Sequence, residues 1–362
     1  MTGVQTCALP IYIGVVVQIL FASHAYAEEG LFKPKEIVLP APVEQSIPAV
    51  VRVYSNLFFD VRVFPDQAVL QNYEIAHAKR VKKTFRSDGT LWPVDTTFDS
   101  LTKTCAGGTK NQPGNAEVCA AFKTWSCIRH ACAFRTDPLA GSATGFVVGR
   151  AMSGDLLVMT AYHVAREGIE RCKRTGGVYI ARPEAIPDLT VQFNGQPIKH
   201  KVILLANASA EDWHNGRDWA LLQVPGTAEM PTHALPIASA RPEKGERVWV
   251  VGFPTRTNRV LPANAKYQNA ADELRISTGL VVSQPPDTEP RDRDDTFADA
   301  DGVAGNSGSP AIDASGYVVG LFRAHTFYKD GDDLRVVRFG GEAELTPEPV
   351  LAQAVESITR SK

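Results

Sequence analysis

The chain has few of the features that would assign it to a membrane or nucleic-acid-binding class. No apolar run reaches the roughly 18 residues of a transmembrane candidate. The formal net charge is only −2, so the composition gives no support for binding nucleic acid, which requires a basic surface. With 44% hydrophobic and 22% charged residues among 362, the chain is predicted to form one large or two medium globular domains.

The N-terminal segment has none of the lysine and arginine of an ordinary export signal, but it has the apolar core and the cleavage motif of one. Residues 11–20 form a short apolar core, and Ala25-Tyr26-Ala27 is a small-x-small cleavage motif. We therefore expect residues 1–27 to be a signal peptide and the protein to be exported, either periplasmic or secreted. Residues 2–11 resemble the translation of a sequencing-library adapter; the alternative is an unusual n-region.

Cysteine is also scarce, and its six positions are 7, 105, 119, 127, 132 and 172. Crowding between 105 and 132 in an exported chain predicts two disulfides, at least one of them wholly within that segment, with one thiol left over. Zinc at Cys127, His130 and Cys132 is a competing interpretation, but no second pair of ligands supports it. Calcium in the acidic segment 284–301 is another, but the EF-hand spacing is absent. We therefore predict no metal and no cofactor.

The most informative stretch that is present is GNSGSP, residues 305–310. Residues 311–321 after it have the pattern of two strands joined by a tight turn, which predicts a β-hairpin. A serine hydroxyl is a weak nucleophile, and it needs a neighbouring base together with a group that orients the base. If Ser307 is a nucleophile, a histidine and a carboxylate are therefore expected elsewhere in the chain.

A histidine and an aspartate occur in suitable surroundings upstream of Ser307. His163 follows the apolar strand predicted at 156–159, and Asp218 begins the apolar strand predicted at 219–224. Alone, each residue type has a commoner use: histidine as a core or surface group, aspartate as a turn residue, and serine in a glycine-rich turn. Together, in the chain order His, Asp, Ser, they predict a catalytic triad.

These motifs resemble those of trypsin-like serine proteases with the chymotrypsin fold, including bacterial HtrA-like peptidase domains. Residues 141–148 are similar to the strand before the histidine in that family, and residues 249–257 to the opening strand of its second barrel. The resemblance covers residues 136–345. It implies an all-β fold of two six-stranded antiparallel β-barrels, followed here by a C-terminal helix predicted at 345–361.

The chain after the signal peptide is predicted to have two parts. Residues 28–135 form a cysteine-containing N-terminal extension or insertion, and residues 136–362 form the protease domain. Two arrangements stay open. Either a strand at 47–54 opens the first barrel and 57–135 are inserted after it, or 28–135 are a separate pro-region or accessory module. We expect no room for a PDZ domain after the C-terminal helix.

The resemblance also implies a role for each site residue. Ser307 is the nucleophile, His163 the general base, and Asp218 the group that orients the base. The backbone N–H groups of Gly305 and Ser307 form the oxyanion hole. Asn306 stands where many trypsins have an aspartate that pairs with a freed N-terminal amine, so activation by such an amine is not expected.

Two groups of residues imply different substrate preferences. Asp301 lies where trypsin places the carboxylate at the bottom of its pocket, which favours cleavage after Arg or Lys. Arg323 and His325 lie on the opposite wall and favour acidic residues. We predict an exported serine endopeptidase that acts on a protein or peptide substrate; a peptide-binding pseudoenzyme and an esterase on the same fold are the alternatives.

Overall fold

The computed structural model of the chain describes residues 31–81, 94–111, 114–124, 132–137, 139–165, 188–208, 217–226, 233–255, 273–282, 296–302, 305–326, 328–330, 333–335 and 342–359. The predicted signal peptide at 1–27, most of the acidic segment 284–301, and Cys127 and His130 of the zinc interpretation lie outside these residues.

The described residues form strands and helices that we number along the chain. The strands are β1 (Val50–Leu57), β2 (Asp60–Phe64), β3 (Val94–Thr97), β4 (Cys132–Arg135), β5 (Leu139–Arg150), β6 (Leu156–Thr160), β7 (Asp188–Phe193), β8 (Lys199–Lys201), β9 (Ile203–Asn207), β10 (Ala220–Val224), β11 (Arg247–Gly252), β12 (Arg275–Val282), β13 (Thr296–Asp301), β14 (Pro310–Ile312), β15 (Val318–Thr326), β16 (Tyr328–Asp330), β17 (Asp333–Arg335) and β18 (Glu342–Pro347). The helices are α1 (Ala41–Ser46), α2 (Gln67–Val81), α3 (Phe98–Ala106), α4 (Asn115–Thr124) and α5 (Glu348–Thr359).

The first large sheet has seven strands, in the order β8-β7-β1-β5-β6-β10-β9. Its two edge strands, β8 and β9, are separated in the chain by Val202 alone. They are therefore two halves of one bent strand, and the bend brings the edges of the sheet together. At the bend, the Val202 N–H donates a 3.3 Å hydrogen bond to the Leu189 carbonyl. Counted in this way, the sheet is a curled barrel of the six strands that the sequence predicts.

The second sheet is a closed six-stranded barrel, in the order β11-β12-β13-β18-β15-β14. Its last strand, β18, pairs antiparallel with both β13 and β15. A closed barrel leaves no unpaired edge strand, which removes a site of intermolecular strand pairing. The two curled sheets confirm the predicted all-β, chymotrypsin-like double barrel.

The strand β11 shows how alternation along one strand builds two hydrophobic cores. Val248 and Val250 pack inside the second barrel, whereas Trp249 and Val251 join a larger cluster shared by both barrels. Successive side chains on a strand point to opposite faces, so one strand serves both clusters. The shared cluster includes fully buried residues of the first barrel such as Phe146. It holds the two barrels together along their interface.

The strand β1 belongs to the first barrel, so this barrel includes chain N-terminal to residue 136, where the protease domain was predicted to begin. It pairs with β5 from Val50↔Phe146 to Leu57↔Leu139, and on its other side with β7. The chain between these strands leaves the barrel after Leu57 and returns at its register partner Leu139. Residues 58–138 are thus inserted at a single point of the barrel.

The inserted chain, which we call the inserted unit (residues 58–138), has its own sheet and its own core. Its sheet has the order β3-β2-β4. Strands and helices share one cluster of buried apolar side chains: Phe59, Val61, Val63, Leu101, Val118 and Phe134. A disulfide joins Cys105 of α3 to Cys119 of α4, which confirms the prediction that at least one disulfide lies wholly within 105–132. Cys132 is also disulfide-bonded, and its partner lies outside the described residues.

The C-terminal helix begins slightly later than the sequence predicts. Thr346 and Pro347 pair with β15 and continue the strand β18, so the helix starts at Glu348. Leu351 is fully buried and Val355 half-buried against the shared core. Within the described ranges, the chain forms no helix that is both long enough and apolar enough to span a membrane.

Candidate active site

The paired strands β6 and β10 bring His163 and Asp218 together. Thr160 at the end of β6 is the register partner of Ala220 at the start of β10. His163 lies in the helical turn after β6, and Asp218 lies just before β10. Asp218 Oδ2 is 2.6 Å from His163 Nδ1, and Asp218 Oδ1 accepts a 3.0 Å hydrogen bond from the His163 backbone N–H.

This double contact sets the orientation of the imidazole. When Nδ1–H donates to Asp218, the other ring nitrogen, Nε2, is left as the acceptor. The side chain of Asp218 is 1% exposed, whereas that of His163 is 23% exposed. The imidazole therefore has one side fixed against a buried carboxylate and another that faces outward.

Asp218 is stabilised in its ionised form although it is buried. Burial has the largest influence on its pKa and raises it. The charge of His163, the hydrogen bonds from the His163 ring and backbone, and the charge of Arg323 together act more strongly in the opposite direction. The pKa of Asp218 therefore lies below the ordinary value for aspartate. An ionised carboxylate at this place stabilises an imidazolium on His163.

Ser307 lies in a tight turn whose backbone is held by hydrogen bonds. The Ser309 N–H donates to the Asn306 carbonyl at 2.8 Å, and the Gly308 N–H donates to the Phe322 carbonyl at 2.7 Å. Phe322 belongs to β15, so the turn is attached to the β14–β15 hairpin that the sequence predicts after it. Ser307 is half-buried, whereas Asn306 and Gly308 on either side of it are buried.

Two glycines allow the turn to lie directly against both barrels. Gly305 and Gly308 have φ angles of +96° and +85°, in the left-handed region that favours glycine. A Cβ on Gly308 would lie 2.1 Å from the carbonyl oxygen of Thr144 in the first barrel. A Cβ on Gly305 would lie 2.5 Å from the carbonyl oxygen of Phe253, next to β11 of the second barrel. Side chains at these positions would push the turn away from both neighbours.

Thr144 on β5 connects the Ser307 turn with the chain that leads to His163. Its N–H donates to the Ser307 carbonyl at 2.9 Å, and its carbonyl accepts a 2.7 Å hydrogen bond from Thr160 Oγ1. Ser307 and His163 are thus linked through two hydrogen bonds and the short chain after Thr160. Sequence reasoning missed this residue, because a threonine inside the strand predicted at 141–148 shows no distinguishing pattern.

Comparison with known proteins bears on the same part of the chain. The sequence profile of the trypsin-like peptidase domain matches residues 143–321, the range that contains His163, Asp218 and Ser307. The chain contains a trypsin-like peptidase domain. No curated protein matches the chain.

Two solved structures are similar to this chain. The active form of the Rv3671c protease from M. tuberculosis is 16% identical to this chain. The match covers 93% of this chain and 92% of the Rv3671c chain, with a TM-score of 0.44. The inactive form of a serine-to-alanine mutant of Rv3671c is 18% identical to this chain. The match covers 61% of this chain and 83% of the mutant chain, with a TM-score of 0.37.

The predicted substrate-binding residues of the peptidase domain lie on β13 and β15. Asp301 ends β13 and is buried, and its carbonyl accepts a 2.6 Å hydrogen bond from Ser277 Oγ. Arg323 on β15 is half-buried, and its charge acts on Asp218, an effect that the sequence does not reveal. For His325 the structure describes only the backbone, which pairs with β18. Contact of these three residues with a substrate stays a prediction.

Asn306 is fully buried beside the candidate nucleophile. Among the described residues, neither the oxygen nor the nitrogen of its side-chain amide has a hydrogen-bond partner. The amide is neutral, so it offers no charge to a freed N-terminal amine. Activity without such an amine stays a prediction.

Proposed function

We propose that this protein is an exported serine endopeptidase that hydrolyses peptide bonds through an acyl-enzyme on Ser307. The observation that carries the proposal is the buried Asp218 carboxylate 2.6 Å from Nδ1 of a partly exposed His163. A buried carboxylate that orients an imidazole is the arrangement that prepares a base for a hydroxyl nucleophile. The trypsin-like peptidase domain and the hydrogen bond from Thr144 to the Ser307 carbonyl support the same role.

In the acylation step, Ser307 Oγ attacks the carbonyl carbon of the peptide bond while His163 Nε2 takes the hydroxyl proton. The π electron pair of the carbonyl moves onto its oxygen and forms an oxyanion. Collapse of this intermediate breaks the C–N bond, and the leaving amine takes the proton from Nε2. Asp218 holds Nδ1–H throughout, so only Nε2 exchanges protons with the reacting groups.

In the deacylation step, water attacks the acyl-enzyme and gives one proton to His163 Nε2. The C–Oγ bond then breaks, and the proton returns to Ser307. The backbone N–H groups of Gly305 and Ser307 are proposed to donate to the oxyanion in both steps, because hydrogen-bond donors aimed at the developing charge lower the barrier.

Export is proposed from the features of the N-terminal segment and is supported by a disulfide bond in the inserted unit. The disulfide between Cys105 and Cys119 is of a kind that persists in oxidising compartments and is rare in the cytosol. The proposed substrate is therefore a protein or peptide outside the cytoplasm.

The first test is the variant Ser307→Ala. We expect kcat to fall by several orders of magnitude, since removal of the corresponding serine in subtilisin costs about 10⁶-fold. The variant Ser315→Ala is the matched control. It changes an exposed serine in the hairpin turn whose backbone N–H, rather than its hydroxyl, bonds to Asp313. We expect the control to hydrolyse peptides at the wild-type rate.

A fluorophosphonate probe and a peptide-library digest separate the proposal from its alternatives. An endopeptidase is labelled on Ser307 and cleaves internal peptide bonds of the library. An esterase is labelled but cleaves ester substrates only, and a pseudoenzyme is not labelled. Undiminished peptide hydrolysis by Ser307→Ala would overturn the assignment of the nucleophile.

A further inference from the structure

The hydroxyl group of Thr144 is buried where both barrels meet the Ser307 turn. Its Oγ1 donates to the Gly305 carbonyl at 2.8 Å and accepts from the Phe253 N–H at 2.9 Å, and Thr144 is fully buried. Thr144 lies on β5 of the first barrel, and Phe253 follows β11 of the second. One hydroxyl therefore connects the first barrel, the second barrel and the turn.

The donor and acceptor roles in this bridge can be assigned in only one way. The Phe253 N–H can only donate, so Oγ1 must accept there, and its own proton is available for the Gly305 carbonyl. A carbonyl can only accept, so the second bond is satisfied in the same arrangement. Valine has the same shape as threonine but neither a donor nor an acceptor. Its introduction would leave a buried N–H and a buried carbonyl without this partner.

The bridge belongs to a set of hydrogen bonds that holds successive peptide groups of the turn. Thr144 Oγ1 holds the Gly305 carbonyl, Ser309 N–H holds the Asn306 carbonyl at 2.8 Å, and Thr144 N–H holds the Ser307 carbonyl at 2.9 Å. Each peptide group is planar, so a fixed carbonyl also fixes the direction of the N–H in the same plane. The Ser307 N–H shares its plane with the Asn306 carbonyl, in the middle of this set.

We propose that Thr144 is a positioning residue for the oxyanion hole, whose hydroxyl fixes the Gly305–Asn306 peptide group that lies between the two donor N–H groups, those of Gly305 and Ser307. The inference rests on the proposed function and deepens it. Thr144 touches no reacting atom and acts through the turn. Loss of its hydroxyl should weaken binding of the transition state more than binding of the substrate, because only the transition state depends on full alignment of the oxyanion donors.

The test compares Thr144→Val, Thr144→Ser and a matched control, Thr136→Val. Thr136 is also a buried threonine, and its Oγ1 accepts a 3.1 Å hydrogen bond from the N–H of a phenylalanine, Phe59. It lies at the base of the inserted unit instead of against the Ser307 turn. The control therefore removes another buried threonine hydroxyl that accepts from a backbone N–H, at a place where no hydrogen bond to the turn is found among the described residues.

We expect Thr144→Val to lower kcat about 10- to 100-fold, within the roughly 100-fold loss that a misplacement of about 1 Å can cause. KM should change by less than about twofold, because a lost transition-state contact lowers kcat and kcat/KM alike. Thr144→Ser keeps the hydroxyl and should restore kcat. Thr136→Val should keep kcat even where its thermal unfolding midpoint falls.

Equal kcat for Thr144→Val and the wild type would overturn the inference, and so would equal losses in the two valine variants. If Thr144→Val does not fold, the pair Thr144→Ala and Thr136→Ala gives the same comparison. An inactive wild-type protein would contradict the proposed function and this inference with it. An active wild type with an equally active Thr144→Val variant contradicts this inference alone.

Discussion

Asp218 links the chemistry of the site to the pH dependence of folding. Its pKa in the folded protein is lowered despite its burial, because His163 and Arg323 outweigh the loss of solvation. In the unfolded chain an aspartate titrates near its ordinary value of about 3.9. Between the two pKa values the unfolded state binds more protons, so stability rises with pH there. The contribution is complete above the unfolded pKa and disappears as the pH falls through the folded pKa.

We therefore expect Asp218→Asn to flatten the acid side of the stability curve. Asparagine has a similar shape but cannot ionise, so this pH-dependent contribution is absent from the variant. Urea unfolding of both proteins between about pH 3 and pH 5, below the range in which histidine ordinarily titrates, measures the effect as a free energy of unfolding. The stability advantage of the wild type should shrink as the pH falls, and an advantage that grows on acidification would contradict the lowered pKa.

Gly308 is the residue at which steric contact between the turn and the first barrel can be tested. Gly308 and Gly154 have nearly equal φ angles, +85° and +86°, so an alanine at either position adopts an unfavourable conformation that costs about 1–2 kcal/mol. A Cβ at Gly154 meets nothing within 4 Å, whereas at Gly308 it lies 2.1 Å from the Thr144 carbonyl oxygen. We expect Gly308→Ala to destabilise by more than about 3 kcal/mol and to abolish hydrolysis. Urea unfolding should show a smaller loss for Gly154→Ala; equal losses would refute the contact.

At the scale of elements, the Cys105–Cys119 disulfide joins the helices α3 and α4 across a sequence separation of 14 residues. We expect the double variant Cys105→Ala/Cys119→Ala to lose about 3 kcal/mol of stability in the inserted unit, mainly because its unfolded chain gains freedom. The cluster shared by the barrels contains no cysteine among its described residues, so β5 and β6 should keep their protection. Hydrogen exchange of residues 98–124 and 139–160 reports on the two regions. It is measured without reductant, because a reductant would also break the disulfide of Cys132. Equal loosening of both would contradict their independence.

At the scale of the whole molecule, the inserted unit is attached where β1 and β5 would otherwise form a hairpin. Leu57 and Leu139 are register partners, so a two-residue Asn-Gly turn can join them without a change of register. We expect replacement of residues 58–138 by Asn-Gly to leave a folded double barrel that hydrolyses small peptides at a rate within about threefold of the wild type. The inserted unit has its own sheet and core, and independent sites affect each other little. Circular dichroism and kcat check this. An unfolded or inactive product would show that the barrels need the inserted unit.

Local sequence was sufficient for those parts of the protein that depend on neighbours in the chain. The hairpin after Ser307 follows from turn chemistry, since Asp313 Oδ1 accepts hydrogen bonds from the N–H groups of Ser315 and Tyr317. The fully buried strand β6 follows from its uninterrupted apolar residues. Both patterns are complete within a few residues, so they indicated the barrel strands and the candidate triad motifs around them.

Contacts between residues remote in the chain required the tertiary structure. The hydroxyl bridge from Thr144 to Gly305 spans a sequence separation of 161 residues. The membership of β1 in the first barrel, and the influence of Arg323 on Asp218, likewise depend on which strands pair and in what register. A register is set by burial and turn geometry summed over a whole sheet. No single segment of the sequence carries that information, so these features appear only when the barrels are assembled.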